Sequence, residues 1–195
     1  MDKHYNETPV VSMRNITKRF GDKEVLSNIN FDLHKSEVHA LLGENGAGKT
    51  TLMNILYGMF APTDGAITIN DKTYANMTPK KAIDLGIGMV HQHFMLIEPL
   101  TVTENIILGY EEDTGLFLNR KKAREKIKDL TYEYGLDINP DSKIEDISVG
   151  QQQRVEILKA LYRGADVLIF DEPTAVLTPQ AVSYTHLTLP TKRIV

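Results

Sequence analysis

The run Gly43-Glu44-Asn45-Gly46-Ala47-Gly48-Lys49-Thr50 limits what this 195-residue chain can fold into more than any other stretch. It satisfies G-x-x-x-x-G-K-[ST] at every fixed position and lies within Ser36 to Gly58, where an apolar strand is expected to meet a glycine-rich loop and then a helix. Glycines let successive backbone N–H groups turn inward toward phosphate oxygens, and the helix that follows adds its positive end. Lys49 is placed to reach β- and γ-phosphates, and the Thr50 hydroxyl to hold Mg²⁺. A turn that needed glycine only for its shape would explain neither Lys49-Thr50 nor the flanking segments.

Composition narrows the partners. The net charge is −4 and the isoelectric point about 5.9, so no overall positive field favours nucleic acid or an anionic lipid surface. Direct binding of nucleic acid is therefore not expected. With no cysteine, disulfides and thiolate chemistry are excluded. The start, MDKHYNETPV, lacks the apolar run of a secretion signal, and no stretch approaches the roughly 18 apolar residues that span a bilayer. Work at a membrane would require an anchoring partner.

In chain order, Val10 to Ile16 reads as a strand, Lys18 to Asp22 as a polar turn, and Val25 to Leu33 as a second, half-exposed strand of an antiparallel layer. Phe20 is a candidate platform for an adenine ring, although an aromatic in a turn also packs on its neighbours. A helix is expected over Lys49 to Leu56, a turn over Ala61 to Gly65, a strand over Ala66 to Asn70 and a helix over Thr78 to Leu85. Gly88-Met89-Val90 reads as a buried strand that delivers Gln92 to its end, where open α/β sheets place ligand groups. His91 and His93 lack a third metal ligand. From Leu100 to about Leu161 the pattern is helical. Thr101-x-x-Glu104 has the form of a capping box, and Asn119 to Tyr134 carries Ala123, Ile127, Leu130 and Tyr134 on one face, with Arg120 to Arg124 as a solvated basic face. Ser148, Val149 and Gly150 precede an amphipathic helix whose free N–H groups suit an anion. Val167 to Phe170 is an apolar strand ending in Asp171-Glu172. Adjacent acids at that place are costly unless a cation or a reaction uses them. Asp171 fits an acid that orients Mg²⁺, and Glu172 a carboxylate that polarises the attacking water.

Taken in order, Phe20, GENGAGKTT, Gln92, ISVGQ before QQRVEI, and VLIFDEP resemble the nucleotide-binding domain of ABC transporters. The likeness covers about residues 9–180. It implies an α/β fold: a P-loop NTPase core of ABC type with an antiparallel β layer and a helical subdomain at about 95–161. It further implies ATP and Mg²⁺ as cofactors, and a head-to-tail pair of such domains. The phosphates would lie against Gly43, Asn45, Gly46, Ala47, Gly48, Lys49, Thr50 and Thr51, the base against Phe20, and the metal near Thr50, Gln92 and Asp171. Lys49, Gln92 and Glu172 would serve the reaction. Ser148, Gly150 and Gln151 would act on the nucleotide of the partner domain; Val149 stands where the usual motif has glycine. The runs MVHQHFMLIEPLTVTENIILG and SVGQQQRVEILKALYRGADVLIFDEPTAVLTPQ are similar to the first half of tandem ATP-binding proteins of nucleoside or simple-sugar importers. That likeness implies a peripheral subunit on the cytoplasmic face of the cell membrane, transmembrane permease partners and, indirectly, a solute-binding protein. A non-transport ABC-type ATPase of translation or DNA maintenance, and a non-catalytic nucleotide-binding fragment, are the alternatives.

Family members continue past Gln180 with a helix, a strand and a histidine that contacts the γ-phosphate. Ala181 to Val195 lacks a helical period and carries Pro190. It admits a back-translation that, from its second base onward, resembles a transposon-end adapter of short-read library preparation, with a sample index before Val195. It is expected to be artefactual, so the core is truncated before the switch-histidine strand and His186 is not that histidine. Losing a central strand exposes facing backbone groups at about 1–3 kcal/mol each, against a typical stability of about 5–15 kcal/mol. An unstable or aggregation-prone chain is expected, with Tyr184 to Leu189 the run of the tail able to take the vacant place.

Overall fold

The computed structural model describes residues 8–90, 95–110, 120–171 and 193–194. They form two units: the described residues up to Gly88 with Val167–Ile169 and Arg193–Ile194, and those of 89–166 with Phe170 and Asp171.

The first unit is built on an antiparallel sheet of order β2-β1-β3-β4, formed by β1 (Val11–Phe20), β2 (Lys23–Leu33), β3 (Asp64–Ile69) and β4 (Lys72–Tyr74). Alternating apolar residues turn one face inward: Val11, Met13, Ile16, Phe31, Leu33, Ile67 and Ile69 are all buried. The expected antiparallel layer is present, but β1 runs on through Lys18 to Phe20 and only Gly21-Asp22 turns. Cross-strand pairing extends it: Arg19 lies opposite Glu24 and forms an ion pair with it at 2.7 Å. Polar residues there make a ladder rather than a turn because Gly21, at φ 58°, reverses the chain alone with Asp22. The polar strand β4 carries no apolar alternation and was not expected.

Helix α1 (Lys49–Tyr57) buries Leu52, Met53, Ile55 and Leu56 and stops at Gly58. Gly58 has φ 87°, and a Cβ there would meet the Thr78 backbone at 2.6 Å, so both conformation and space require glycine. The next helix, α2 (Pro79–Asp84), is capped by Thr78, whose hydroxyl accepts the Lys81 N–H.

One expectation fails before the loop. The apolar run ahead of Gly43 is not a strand ladder: Val38 makes an isolated bridge and the rest is irregular. Val38 is 76% exposed and Leu42 92% exposed. A strand is held by the neighbours that pair with it, and among the described residues none is paired along 39–42. Propensity alone does not supply a partner.

The strands β5 (Ile87–Val90), β6 (Val167–Phe170) and β7 (Arg193–Ile194) form a second sheet in that order. Val167 N–H donates to Gly86 C=O and Asp171 N–H to Val90 C=O, equal steps in the same sense along both chains, so β5 and β6 run parallel. Val167 and Leu168 pair in parallel with Arg193 and Ile194. Arg193–Ile194 therefore lies beside β6; Tyr184 to Leu189, the run expected to take that place, and His186 lie outside the described residues.

The second unit packs α3 (Val102–Ile107), α4 (Arg120–Glu133) and α5 (Val149–Tyr162) around Val102, Ile106, Ile127, Val155 and Leu158. Each such side chain contributes about 1.5–3 kcal/mol by leaving water. Thr101 and Glu104 form the expected capping box. The basic run is not merely solvated: Arg120 pairs with Glu104 at 3.0 Å, and Arg124 binds both carboxylate oxygens of Asp141.

Candidate nucleotide-binding site

The loop before α1 is shaped by two left-handed glycines, Gly46 at φ 84° and Gly48 at φ 90°. Gly48 is also crowded, since a Cβ would fall 2.6 Å from Leu26 Cδ2 and 3.2 Å from the Val25 carbonyl. Ala47 N–H closes the turn onto Glu44 C=O at 3.1 Å. Lys49 folds back across the loop, its Nζ donating to the Gly43 and Glu44 carbonyls at 2.7 and 2.9 Å. Asn45, Gly46, Ala47 and Thr50 are exposed, and Gly43 leaves only ordinary contact with Ala47. No side chain caps α1. A helix start that follows such a loop, with a lysine in its first turn, is the arrangement that receives phosphate oxygens. Thr50 and Thr51 stand in the first turn of that helix.

Phe20 closes β1 and is 45% exposed. It sits opposite Lys23 on the hairpin whose Val25 and Leu26 touch Gly48.

In the second unit, Ser148 is the N-cap of α5 and Gln151 its third residue; the two form a reciprocal capping box. Gln151 Oε1 accepts from the Ser148 N–H at 3.0 Å, and Ser148 Oγ accepts from the Gln151 N–H at 3.4 Å. The expectation that Gly150 precedes the helix is corrected: the helix begins at Val149, and Gly150 lies in its first turn with open space where a Cβ would be. The cap explains the shift, because Ser148 starts the helix by its own hydrogen bonds. Asp171 follows β6 directly, its N–H bonded to Val90 C=O at 3.3 Å. Gln92 and Glu172 lie outside the described residues, as do His91 and His93.

Two residues escaped the sequence reading. Glu156 is buried and accepts the Met95 N–H at 2.9 Å, while Lys159 Nζ reaches the Met95 carbonyl at 3.5 Å. Burial holds the Lys159 pKa below the usual lysine value, with the Glu156 carboxylate opposing that shift. Helix α5, which begins at the ISVGQ segment, thereby grips the chain three residues after Gln92. A carboxylate next to Val155 in an otherwise apolar run was the available signal.

The glycine loop and the helix that follows it have the form of a P-loop. The ABC transporter family profile matches residues 26–175, and the chain belongs to that family. The nucleoside import ATP-binding protein NupA of Lactococcus lactis subsp. cremoris (strain MG1363) is 60% identical over 178 residues, covering 91% of this chain and 35% of that protein. The guanosine import ATP-binding protein NupO of Bacillus subtilis (strain 168) is 56% identical over 173 residues, covering 89% and 34%. Among solved structures, the dimeric post-hydrolysis state of the ATP-binding cassette MJ0796, bound to ADP and Pi, is similar at 28% identity and a TM-score of 0.69, covering 95% of this chain and 86% of that one. The chain spans about a third of the length of the curated relatives it matches. Among the described residues, no helix is long and apolar enough to cross a membrane.

Proposed function

We propose that this chain is the first ATP-binding cassette of the energy-coupling subunit of an importer for nucleosides or simple sugars, and that it binds and hydrolyses ATP. The observation that carries this is the Gly46-Gly48 loop at the start of α1, across which the Lys49 ammonium is held by the Gly43 and Glu44 carbonyls. The importer reading is supported by likeness to proteins named for nucleoside and guanosine import.

In this reading the cassette occupies residues 9–180 with its helical subdomain at about 95–161; residues 1–8 form an N-terminal tail, and 181–195 are artefactual. The loop N–H groups, Lys49 and Thr51 bind the phosphates, and Phe20 the base. The donor set fits Mg²⁺: Thr50 and Asp171 offer hard oxygens, to which Gln92 adds an amide oxygen. Bound there with the nucleotide, the ion neutralises charge on the phosphates. Glu172 polarises the attacking water, and Gln92 orients it. Ser148, Gly150 and Gln151 close over the γ-phosphate held by a second cassette, so binding joins two cassettes and hydrolysis separates them. Transmembrane permease subunits dock on the cytoplasmic side through the region around Gln92 and the helices after it, and a solute-binding protein delivers the cargo. Nucleic acid has no direct role.

The test is ATP turnover in a chimera carrying this chain in place of the matching segment of the nucleoside-import relative. Glu172→Gln is expected to lower turnover at that site by about 10²–10⁴-fold while ATP still binds. Unchanged turnover would refute the role given to Glu172.

A further inference from the structure

Phe20 does not stand alone on its hairpin. Its ring meets that of Phe60 edge-on, with centroids 5.5 Å apart and planes at 83°. Above the Phe20 ring sits Lys18 Nζ, 4.9 Å from the centroid, and the same ammonium lies 5.9 Å from the Phe60 centroid. Lys18 Nζ is fixed in turn by donating to the Ala61 carbonyl at 2.7 Å. The segment bearing Phe60 is tied at both ends. Met59 and Phe60 N–H groups bond to Asn54 C=O of α1, at 2.8 and 3.3 Å, and Thr63 bonds to β1, its N–H to Thr17 C=O at 2.8 Å and its Oγ1 accepting the Arg19 N–H at 3.0 Å. Both aromatic rings nonetheless remain partly open, Phe20 at 45% and Phe60 at 37% exposure.

Two exposed phenylalanines and a lysine gain little stability from such an arrangement. They do form a plate braced against tilting, with a cation on one face. A cation over one face draws π density toward itself and leaves the opposite face poorer in electrons. That face then stacks more strongly on an electron-rich purine than an unpolarised phenyl ring would. The plate is also near enough to matter: Phe20 pairs with Lys23, and Val25, whose carbonyl approaches Gly48, is two residues further on, about 7 Å along the strand. Helix α1 links the parts, with the phosphate loop at its start and Phe60 just beyond its end.

We propose that Lys18 and Phe60 are positioning residues for the base of the bound nucleotide, Phe60 bracing the Phe20 ring and Lys18 both bracing and polarising it, so that the plate favours a purine. The inference rests on the nucleotide-binding reading of the loop. Its test keeps the two apart by comparing a ligand that has a base with one that has none.

Affinities for Mg²⁺-ATP, Mg²⁺-CTP and inorganic tripolyphosphate are measured by calorimetry on the full chain and on Phe20→Ala, Lys18→Met, Lys18→Arg, Phe60→Ala and Phe60→Tyr. Phe20→Ala is expected to weaken ATP about fivefold or more. Lys18→Met and Phe60→Ala are expected to weaken it about two- to fivefold and to narrow the preference for ATP over CTP. Tripolyphosphate affinity should stay unchanged throughout, and Lys18→Arg and Phe60→Tyr should restore ATP binding. An unchanged ratio of ATP to tripolyphosphate affinity in Lys18→Met and Phe60→Ala would overturn the proposal, as would an equal loss for both ligands, which marks a merely structural role. Tripolyphosphate binding with no added affinity for ATP would overturn it while leaving the phosphate loop standing. Failure of the unmodified chain to bind either ligand, with its fold verified by a cooperative thermal transition, would remove the nucleotide reading and the proposal with it.

Discussion

Two helices of this molecule begin at glycine-containing motifs, and they begin in opposite ways. Helix α1 starts after Gly48 in the left-handed conformation, with no side-chain cap. Helix α5 starts after Ser148 in an extended conformation, with Ser148 and Gln151 satisfying each other's N–H groups. Every helix start carries N–H groups without intrahelical partners, but what the chain does with them differs. At the α1 start the N-cap glycine offers no side chain, and the Lys49 ammonium is held instead by the Gly43 and Glu44 carbonyls of the preceding loop. The α5 start satisfies part of its own demand. A phosphate meeting it must use the remaining donors or compete with the cap. That contrast accords with the proposed roles, in which α1 binds the nucleotide of its own cassette and the α5 start meets that of a second.

The largest expected effect comes from Lys49→Ala, which removes the charged donor and should weaken Mg²⁺-ATP binding by about tenfold to a hundredfold in a direct titration. Gly48→Ala attacks the same helix start through its backbone. A methyl group 2.6 Å from Leu26 Cδ2, at a residue with φ 90°, should cost about 1–3 kcal/mol of unfolding free energy by denaturant titration and weaken phosphate binding as well. The α5 start should respond differently. Ser148→Ala removes a cap and should cost about 1 kcal/mol, with no change in ATP affinity of the lone chain. Loss of ATP affinity in that variant would erase the contrast between the two helices.

Smaller still is the pH response of the second capping box. The Thr101 N–H and hydroxyl hold the Glu104 carboxyl below its ordinary value, helped by Arg120. A depressed carboxylate stabilises the fold above its unfolded pKa of about 4.3, and that contribution fades as pH falls through the lower folded value. Glu104→Gln should therefore flatten the stability profile on the acid side of about pH 4.3. The smallest effect belongs to Gly150→Ala. With open space at the Cβ position, stability should change by less than about 0.5 kcal/mol. Any loss of turnover in a paired cassette then reports close approach of a phosphate, not folding.

The α1 start was fully legible in sequence, because glycine spacing and Lys49-Thr50 are a local pattern whose chemistry needs no partner. The α5 start was legible as a helix start near Ser148, but its capping box was not drawn out of Ser148-x-x-Gln151. That placed Gly150 outside the helix. Strands showed the same divide. Those in hairpins, β1 with β2, were recognisable from alternation, whereas Val38 to Leu42 had a strand's composition and lacks a ladder, since pairing is decided by residues far along the chain. The Lys18-Phe20-Phe60 cluster was invisible for a related reason. Phe60 is separated from Lys18 and Phe20 by the whole of β2, the loop and α1, and bonds of residues 59–63 to α1 and β1 bring it to them.

Backbone amide shifts on titration with Mg²⁺-ATP compare the two helix starts directly. The account predicts saturable shifts concentrated at Gly46 through Thr51 and essentially none at Val149 through Gln151 in the lone chain. Shifts of similar size at both helix starts, or saturable shifts at Val149 through Gln151 without any in the loop, would contradict it.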